Sequence, residues 1–189
     1  NYDVDQIVVS TGAKQSIANV CMSLINKGDE VLIPTPYWVS YSAMVELAEG
    51  VPVFINPDKD SNYKITAQQL DSAITDKTKM LMLNSPNNPS GSVFTEQEYL
   101  EFSKVLLKYP NIIIVSDEIY EHINYGVKSV SFASLPGMYD RTVTVNGISK
   151  AYAMTGWRIG YLGAPKVIAK ACNKMQGQIT SGANCIAQR

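Results

Sequence analysis

The amino-acid sequence predicts an α/β domain with a mainly parallel central sheet. Short β-branched segments alternate along the whole chain with segments whose apolar residues recur at helical spacing. The stretch 111–115 holds four consecutive β-branched apolar residues, as expected for a strand buried on both faces. Polar residues follow several of the predicted strands, at the sheet edge where ligands gather in such domains.

Each predicted strand is an apolar, β-branched run bounded by polar or turn residues. In chain order the strands cover 7–10, 30–34, 51–55, 79–84, 111–116, 142–145 and 159–162. Helical periodicity predicts five helices. The first begins at 13 and stops at Gly28, the second covers 37–49 and the third 66–75. The fourth follows a capping box of Thr95 and Glu98, and the fifth covers 164–178. Residues 85–91 hold two prolines, two asparagines and a glycine, which predicts a loop. The last residues, 185–189, are expected to lie inside a helix.

Composition excludes several classes of function. Apolar residues make up 46% of the 189 residues, and a net charge of −1 offers no basic field for nucleic acid or an anionic membrane. No apolar run approaches the length that spans a bilayer. The three cysteines, Cys21, Cys172 and Cys185, are expected to be buried reduced thiols, which favours a cytoplasmic protein. The single histidine, His122, argues against a histidine-based metal site.

Two segments could hold an anion such as a phosphate group. Thr11-Gly12-Ala13-Lys14 lies where the first strand turns into a helix, so backbone N–H groups can approach an anion at the helix N-terminus. Arg158 opens the last strand, and a guanidinium can bind a phosphate bidentately. By itself the first segment also fits a plain strand-to-helix turn, and Arg158 also fits a surface ion pair.

Four other residues could serve a ring-shaped cofactor. Asp117 follows the most apolar strand, where a carboxylate is costly unless a cation or hydrogen bonds compensate, and Tyr120 lies three residues further on. Lys150 lies among apolar and aromatic residues that suit Schiff-base chemistry, and the flat aromatic Trp38 could stack on a ring. Each has a simpler alternative. Asp117 could cap a helix, Tyr120 could be a buried structural residue, Lys150 could be a solvated charge, and Trp38 could pack in the core.

Four ordered motifs resemble those of class I aminotransferases, which have pyridoxal 5′-phosphate (PLP) fold type I. They are the lysine motif at 149–161, the asparagine-proline loop at 85–91, the aspartate motif at 116–121, and the stacking-aromatic segment at 36–41. The resemblance covers essentially the whole chain and is closest to a bacterial aspartate-specific group. It implies the three-layer α/β/α large domain of that fold, over residues 1–189, and PLP as cofactor.

The resemblance also implies roles for single residues. Lys150 would be the catalytic Schiff-base lysine, and Asp117 would pair with the pyridine nitrogen so that the ring acts as an electron sink. Tyr120 and Asn88 would hydrogen-bond the phenolic oxygen, and Trp38 would stack on the ring.

The phosphate and the substrate would be held by further residues of the same motifs. Arg158 and the backbone of Gly12, Ala13 and Lys14 would hold the phosphate, and Ser149 belongs to the same cofactor-binding set. Asn88 and Trp38 would also contact the substrate, whereas Lys14 would either meet the side-chain carboxylate of an acidic substrate or serve as a phosphate or surface charge.

The sequence departs from the animal-type pattern at one position. Gly147 stands where a phosphate-binding serine is expected three residues before the lysine, so Arg158 and the Gly12 loop would carry more of the phosphate. The bonds Thr35-Pro36 and Asn88-Pro89 match places where the family can use cis peptides, and an X–Pro bond makes cis accessible.

The implied activity is amino-group transfer between L-aspartate and 2-oxoglutarate by a ping-pong mechanism. Aromatic, alanine and prephenate aminotransferases share these motifs. A PLP-dependent lyase or synthase on the same fold, and the effector domain of a PLP-binding transcription regulator with an equivalent lysine, are the alternatives, and Asn87-Asn88-Pro89 favours the enzyme over the regulator. Family members are about twice this length and form homodimers, so we expect a large-domain fragment without the N-terminal segment and the C-terminal small domain. The isolated chain is expected to bind PLP and to transaminate poorly.

Overall fold

The structure, a computed structural model that describes residues 1–189, is a seven-stranded sheet with helices on both faces. The strands are β1 (Ile7–Thr11), β2 (Glu30–Pro34), β3 (Val51–Ile55), β4 (Thr78–Asn84), β5 (Ile113–Asp117), β6 (Thr142–Gly147) and β7 (Ile159–Gly163). The helices are α1 (Ala13–Leu24), α2 (Ser40–Leu47), α3 (Ala67–Ala73), α4 (Glu96–Leu106) and α5 (Lys166–Gly177).

The sheet is mainly parallel, as the sequence predicts. Its strand order is β1-β7-β6-β5-β4-β2-β3, and only β7 runs antiparallel to its two neighbours. The remaining pairs, from β6 to β3, are parallel. Their carboxyl ends therefore meet at one edge of the sheet.

Alternate side chains of the strands enter two separate cores, which makes the domain three-layered. On β4, Met80 and Met82 belong to the core beneath α1, α2 and α5, whereas Leu81 and Leu83 belong to the core beneath α3 and α4. A strand buried on both faces shows no polar alternation, which explains the continuous apolar runs in the sequence. The α/β/α fold class is confirmed.

Several helix ends differ from the predicted ones. The first helix ends at Leu24, ahead of Gly28, because Ile25 is already extended at φ −91° and ψ 134°. α2 is shorter than 37–49 at both ends, and Glu49 adopts a left-handed φ of 62° that stops it. The expected terminal helix is wrong: residues 178–189 form turns, in which the Asn184 side chain accepts two backbone N–H groups and competes with helical bonding.

The capping box of α4 and the two cis peptides are confirmed. Thr95 Oγ1 accepts the backbone N–H of Glu98, whose carboxylate accepts that of Thr95. Thr35-Pro36 and Asn88-Pro89 are cis, and Ser85-Pro86 is a third cis bond that was not predicted.

The prediction of three buried thiols is wrong for one cysteine. Cys21 and Cys172 are buried, but Cys185 is exposed because it lies in the turns that follow α5. None of the helices combines the length and the apolar character needed to span a bilayer.

Arg141 joins the end of α4 to the sheet. Its buried guanidinium donates hydrogen bonds to the backbone carbonyls of Leu106, Tyr109 and Ile112, and it forms no ion pair. The carbonyls of Leu106 and Tyr109 also accept the backbone N–H groups of Tyr109 and Ile112, so the guanidinium gives each a second partner and ties the turns after α4 to the start of β6.

Replacement of Arg141 by Met is therefore expected to lower the free energy of unfolding by about 3 kcal/mol, because it removes several charged hydrogen bonds from a buried position. Chemical denaturation measures this loss. Lys104→Ala is the control, since it removes a cation from an exposed ion pair with Glu101 and should have no measurable effect. Equal losses in the two variants would contradict the role assigned to Arg141.

Candidate active site

Two neighbouring parallel strands place the first candidate residues side by side. In the sheet register Asn84 pairs with Asp117, and Asp117 pairs with Val145 of β6. The chain that leaves β6 leads directly to Ser149 and Lys150. These residues therefore share the carboxyl edge of the sheet, where the sequence predicts ligand-binding groups.

The antiparallel strand β7 brings the predicted anion-binding groups to the same edge. Thr11, the last residue of β1, pairs with Ile159, the first residue of β7, so Gly12 and Arg158 lie next to each other. A Cβ atom on Gly12 would stand only 2.2 Å from Nη2 of Arg158. The absence of a side chain at Gly12, whose φ is +83°, thus leaves room for the guanidinium.

One cavity of about 250 Å³ collects these groups. Nine of the ten residues predicted to bind cofactor or substrate line it: Ala13, Lys14, Trp38, Asn88, Asp117, Tyr120, Ser149, Lys150 and Arg158. The tenth, Gly12, is not among the lining residues and lies against the Arg158 guanidinium. The structure thus brings the predicted set together, while the role of each residue stays a prediction.

Asp117 is the buried acid of the cavity. It is 5% exposed and forms no ion pair; Oδ2 accepts the Tyr41 hydroxyl at 2.6 Å and Oδ1 accepts the Ile119 N–H at 3.2 Å. Burial raises the pKa of Asp117 to about 6, although the two hydrogen bonds and the charge of Lys150 act in the opposite direction. No helix follows Asp117, so it does not act as the helix cap that the segment alone allowed.

The opposite side of the cavity is open and cationic. Lys14, Lys150 and Arg158 are all exposed. Nζ of Lys150 lies 5.8 Å from the centroid of the Tyr120 ring, and Nζ of Lys14 lies 4.8 Å from that of Trp38. Three cations around one opening favour an anionic ligand. The Arg158 guanidinium is held by the Thr155 carbonyl at 2.8 Å.

Sequence reasoning missed five residues that also line the cavity: Ile17, Tyr41, Asn84, Ile119 and Thr155. Asn84 donates to the Asp117 carbonyl at 3.0 Å and accepts the backbone N–H of Asn88 at 2.7 Å, so it fixes the asparagine-proline loop against β5. Its position as the last residue of a predicted strand was an available signal. Tyr41 lies within the recognised aromatic segment, but no local pattern links it to Asp117, 76 residues away.

The glycine at position 147 has a packing reason. A Cβ atom there would lie 2.8 Å from the Ile159 carbonyl oxygen and 2.9 Å from Cα of Gly160. A serine would therefore need the backbones of β6 and β7 to move apart. A Cβ atom on Gly160 would in turn lie 2.0 Å from the backbone nitrogen of Ala13. Close backbone contact between β6, β7 and the Gly12-Ala13 turn shapes this side of the cavity.

A cavity lined by one buried carboxylate and three exposed cations is suited to an anionic ligand that carries a cationic group. A model of the family "Aminotransferase class I and II" matches residues 1–188. The chain belongs to this family, whose members generally depend on PLP.

Similar proteins agree with that membership. The chain is 49% identical over 189 residues to an aspartate aminotransferase of Rhizobium meliloti, covering 99% of this chain and 46% of the relative. It is 49% identical over 190 residues to a bifunctional aspartate aminotransferase and glutamate/aspartate-prephenate aminotransferase of Petunia hybrida, covering 100% of this chain and 40% of the relative. The chain thus spans about half the length of the curated relatives it matches.

Solved structures show the same fold. A crystal structure of the Rhizobium meliloti aspartate aminotransferase superposes with a TM-score of 0.97 at 49% identity, covering 99% of this chain and 47% of that one. An aromatic aminotransferase from Pyrococcus horikoshii superposes with a TM-score of 0.93 at 39% identity, covering 97% and 49%.

Gly160→Ala is expected to weaken PLP binding about tenfold or more, because the new methyl group would push the Gly12-Ala13 turn away from Arg158 and disturb the charge-assisted hydrogen bonds that both are predicted to make to the phosphate. A spectroscopic titration with PLP measures the change. Gly156→Ala is the matched control, since nothing lies within 4 Å of its added Cβ. Unchanged affinity in the Gly160 variant would show that this backbone contact does not position the anion site.

Asp117→Asn is expected to stabilise the cofactor-free protein near neutral pH by up to about 3 kcal/mol. Burial raises the folded-state pKa of Asp117 from 3.8 to about 6, so its stabilising contribution is complete below pH 3.8 and is lost as pH rises through about 6. The advantage of the variant should therefore shrink as pH falls. Chemical denaturation over this pH range checks it, with exposed Asp76→Asn as control; a pH-independent difference would contradict the burial cost.

Proposed function

We propose that this chain is the large, cofactor-binding domain of a PLP-dependent aspartate aminotransferase, which transfers the amino group between L-aspartate and 2-oxoglutarate by a ping-pong mechanism. The carrying observation is that Lys150 and the buried Asp117 line one cavity together with Arg158. An amine nucleophile, a carboxylate without a cation and an anion-binding arginine are the three groups that hold a phosphorylated pyridine aldehyde.

The residues present fit PLP. Asp117 is a buried carboxylate without an ion pair, and a protonated ring nitrogen supplies the missing cation. The space that a Gly12 side chain would fill is occupied by the Arg158 guanidinium, which faces the cavity at the N-terminus of α1. An exposed guanidinium beside a helix N-terminus is suited to a phosphate dianion.

The cofactor supplies, when bound, an electron sink for the negative charge that develops at the substrate Cα. Lys150 would bind the cofactor aldehyde through Nζ and would afterwards carry the proton that leaves the substrate Cα. Asp117 would hold a proton on the ring nitrogen. Tyr120 and Asn88 would orient the phenolic oxygen, and Trp38 would pack on the ring face. Arg158, Ser149 and the Gly12-Ala13-Lys14 turn would hold the phosphate end.

The acidic substrate is supported by Lys14 and by the names of the relatives. Lys14 lies at the mouth of the cavity above Trp38, where its ammonium group can bind the side-chain carboxylate of aspartate. The Petunia hybrida and Rickettsia relatives are named aspartate/prephenate or glutamate/aspartate-prephenate aminotransferases, which makes prephenate a second candidate amino acceptor. Rates with 2-oxoglutarate and with prephenate, measured under the same conditions, distinguish the two.

The complete protein is proposed to be a cytoplasmic homodimer in which a smaller domain follows this one. The buried reduced Cys21 and Cys172 support a reducing compartment. The names of the relatives reported above are those of enzymes, which favours an enzyme over an effector domain of a transcription regulator.

Lys150→Ala is expected to abolish covalent attachment of PLP and to lower the rate of amino transfer at least about a thousandfold, because the variant has lost both nucleophile and proton carrier. Borohydride reduction followed by peptide mass spectrometry detects the attachment. Lys170→Ala, which changes an exposed lysine of α5, is the control and should retain both properties. Attachment of PLP in the Lys150 variant, or to another lysine, would refute the assignment.

A further inference from the structure

Tyr41 is a buried tyrosine whose hydroxyl enters the cavity wall. It lies in the first turn of α2, is 3% exposed, and donates to Oδ2 of Asp117 at 2.6 Å. Its ring meets Trp38 edge-on, with centroids 5.4 Å apart and planes at 90°. Tyr41 therefore contacts both the acid expected at the ring nitrogen and the aromatic expected on the ring face.

The Tyr41 hydroxyl is the one side-chain donor to the Asp117 carboxylate. The other hydrogen bond to this group comes from the backbone N–H of Ile119, on Oδ1. Lys150 contributes a favourable charge, and no cationic side chain forms an ion pair with the carboxylate. Hydrogen bonds to an ionised acceptor are stronger than those to a neutral one, so the hydroxyl stabilises the charged form of Asp117.

The direction of donation is fixed by the chemistry of the two groups. Burial and the neighbouring carboxylate raise the pKa of Tyr41 well above its ordinary value, so the phenol keeps its proton. The tyrosine therefore acts as a permanent donor. The bond also fixes the carboxylate plane, because each oxygen has its own donor.

Resting on the proposed function, we propose that Tyr41 is a positioning residue for the cofactor ring. Its hydroxyl keeps Asp117 ionised and oriented, so that the proton shared between Asp117 and the ring nitrogen stays on the nitrogen. Without this donor the carboxylate becomes the stronger base. The proton then moves from the ring nitrogen to Oδ of Asp117, which leaves a neutral pyridine next to a neutral acid. A neutral pyridine is a weaker electron sink.

The test uses the complete protein that contains this chain, loaded with PLP carrying ¹⁵N at the ring nitrogen. In Tyr41→Phe the ¹⁵N resonance is expected to move toward that of unprotonated pyridine, and the affinity for PLP to fall roughly tenfold. Tyr99→Phe is the matched control, because Tyr99 is equally buried but lies in the core beneath α3 and α4. Its resonance and affinity should equal those of the wild type.

A second variant keeps the hydroxyl and the fold. Site-specific 3-fluorotyrosine at position 41 is a stronger donor and should move the resonance in the opposite direction, toward the fully protonated value. An unchanged ¹⁵N resonance in both Tyr41 variants would overturn the proposal. Failure of the wild-type protein to bind PLP would instead overturn the proposed function. Lower affinity in Tyr41→Phe with an unmoved resonance would reduce Tyr41 to a packing role and also overturn the proposal.

Discussion

The burial of the Asp117 carboxylate is the constraint on which the rest of the site depends. A carboxylate at the end of a buried, largely apolar strand loses most of its hydration, and two hydrogen bonds recover only part of that loss, as its raised pKa shows. The domain therefore holds an unpaired negative charge at the floor of a cavity. The cationic ring nitrogen of the proposed cofactor would remove this cost and would link the stability of the domain to occupation of the site.

The sheet topology supplies the complementary charges. The parallel strands β4, β5 and β6 deliver Asn84, Asp117 and the segment of Lys150 to one edge. The single antiparallel strand, β7, begins at that same edge and so carries Arg158 there, beside the turn after β1. An all-parallel sheet would have placed the start of the last strand at the opposite edge. The reversed direction of β7 thus brings Arg158 to the proposed anion site.

The sequence was sufficient to predict the fold class, seven strands and most of the site, because each depends on local patterns. The apolar run before Asp117 and the ordered motifs around Asn88 and Lys150 are such patterns. Helix ends were less predictable: Glu49, the last residue of the second predicted helix, takes a left-handed backbone instead. The exposure of Cys185 and the turns at 178–189 depend on which residues pack against α5, and periodicity does not report that.

Contacts between residues distant in sequence were beyond prediction from a single chain. Nothing near Tyr41 indicates that its hydroxyl reaches Asp117, and nothing near Asn84 indicates that its amide donates to the backbone carbonyl of Asp117, 33 residues away. The packing reason for Gly147 was also beyond prediction from the sequence. Its lack of a side chain suggested only a missing phosphate ligand, whereas the structure shows a close approach to Ile159 and Gly160.

The residues that line the cavity fall into a buried, hydrogen-bonded group and an exposed, cationic group. Asp117, Tyr41 and Asn84 are buried and hydrogen-bonded to one another or to backbone, so the geometry around the ring nitrogen is fixed before a ligand arrives. Lys14, Lys150 and Arg158 are exposed, so they can reach an entering anion and change partners during turnover. Exposure leaves the Lys150 amine able to approach an entering ligand, as its proposed role of nucleophile requires.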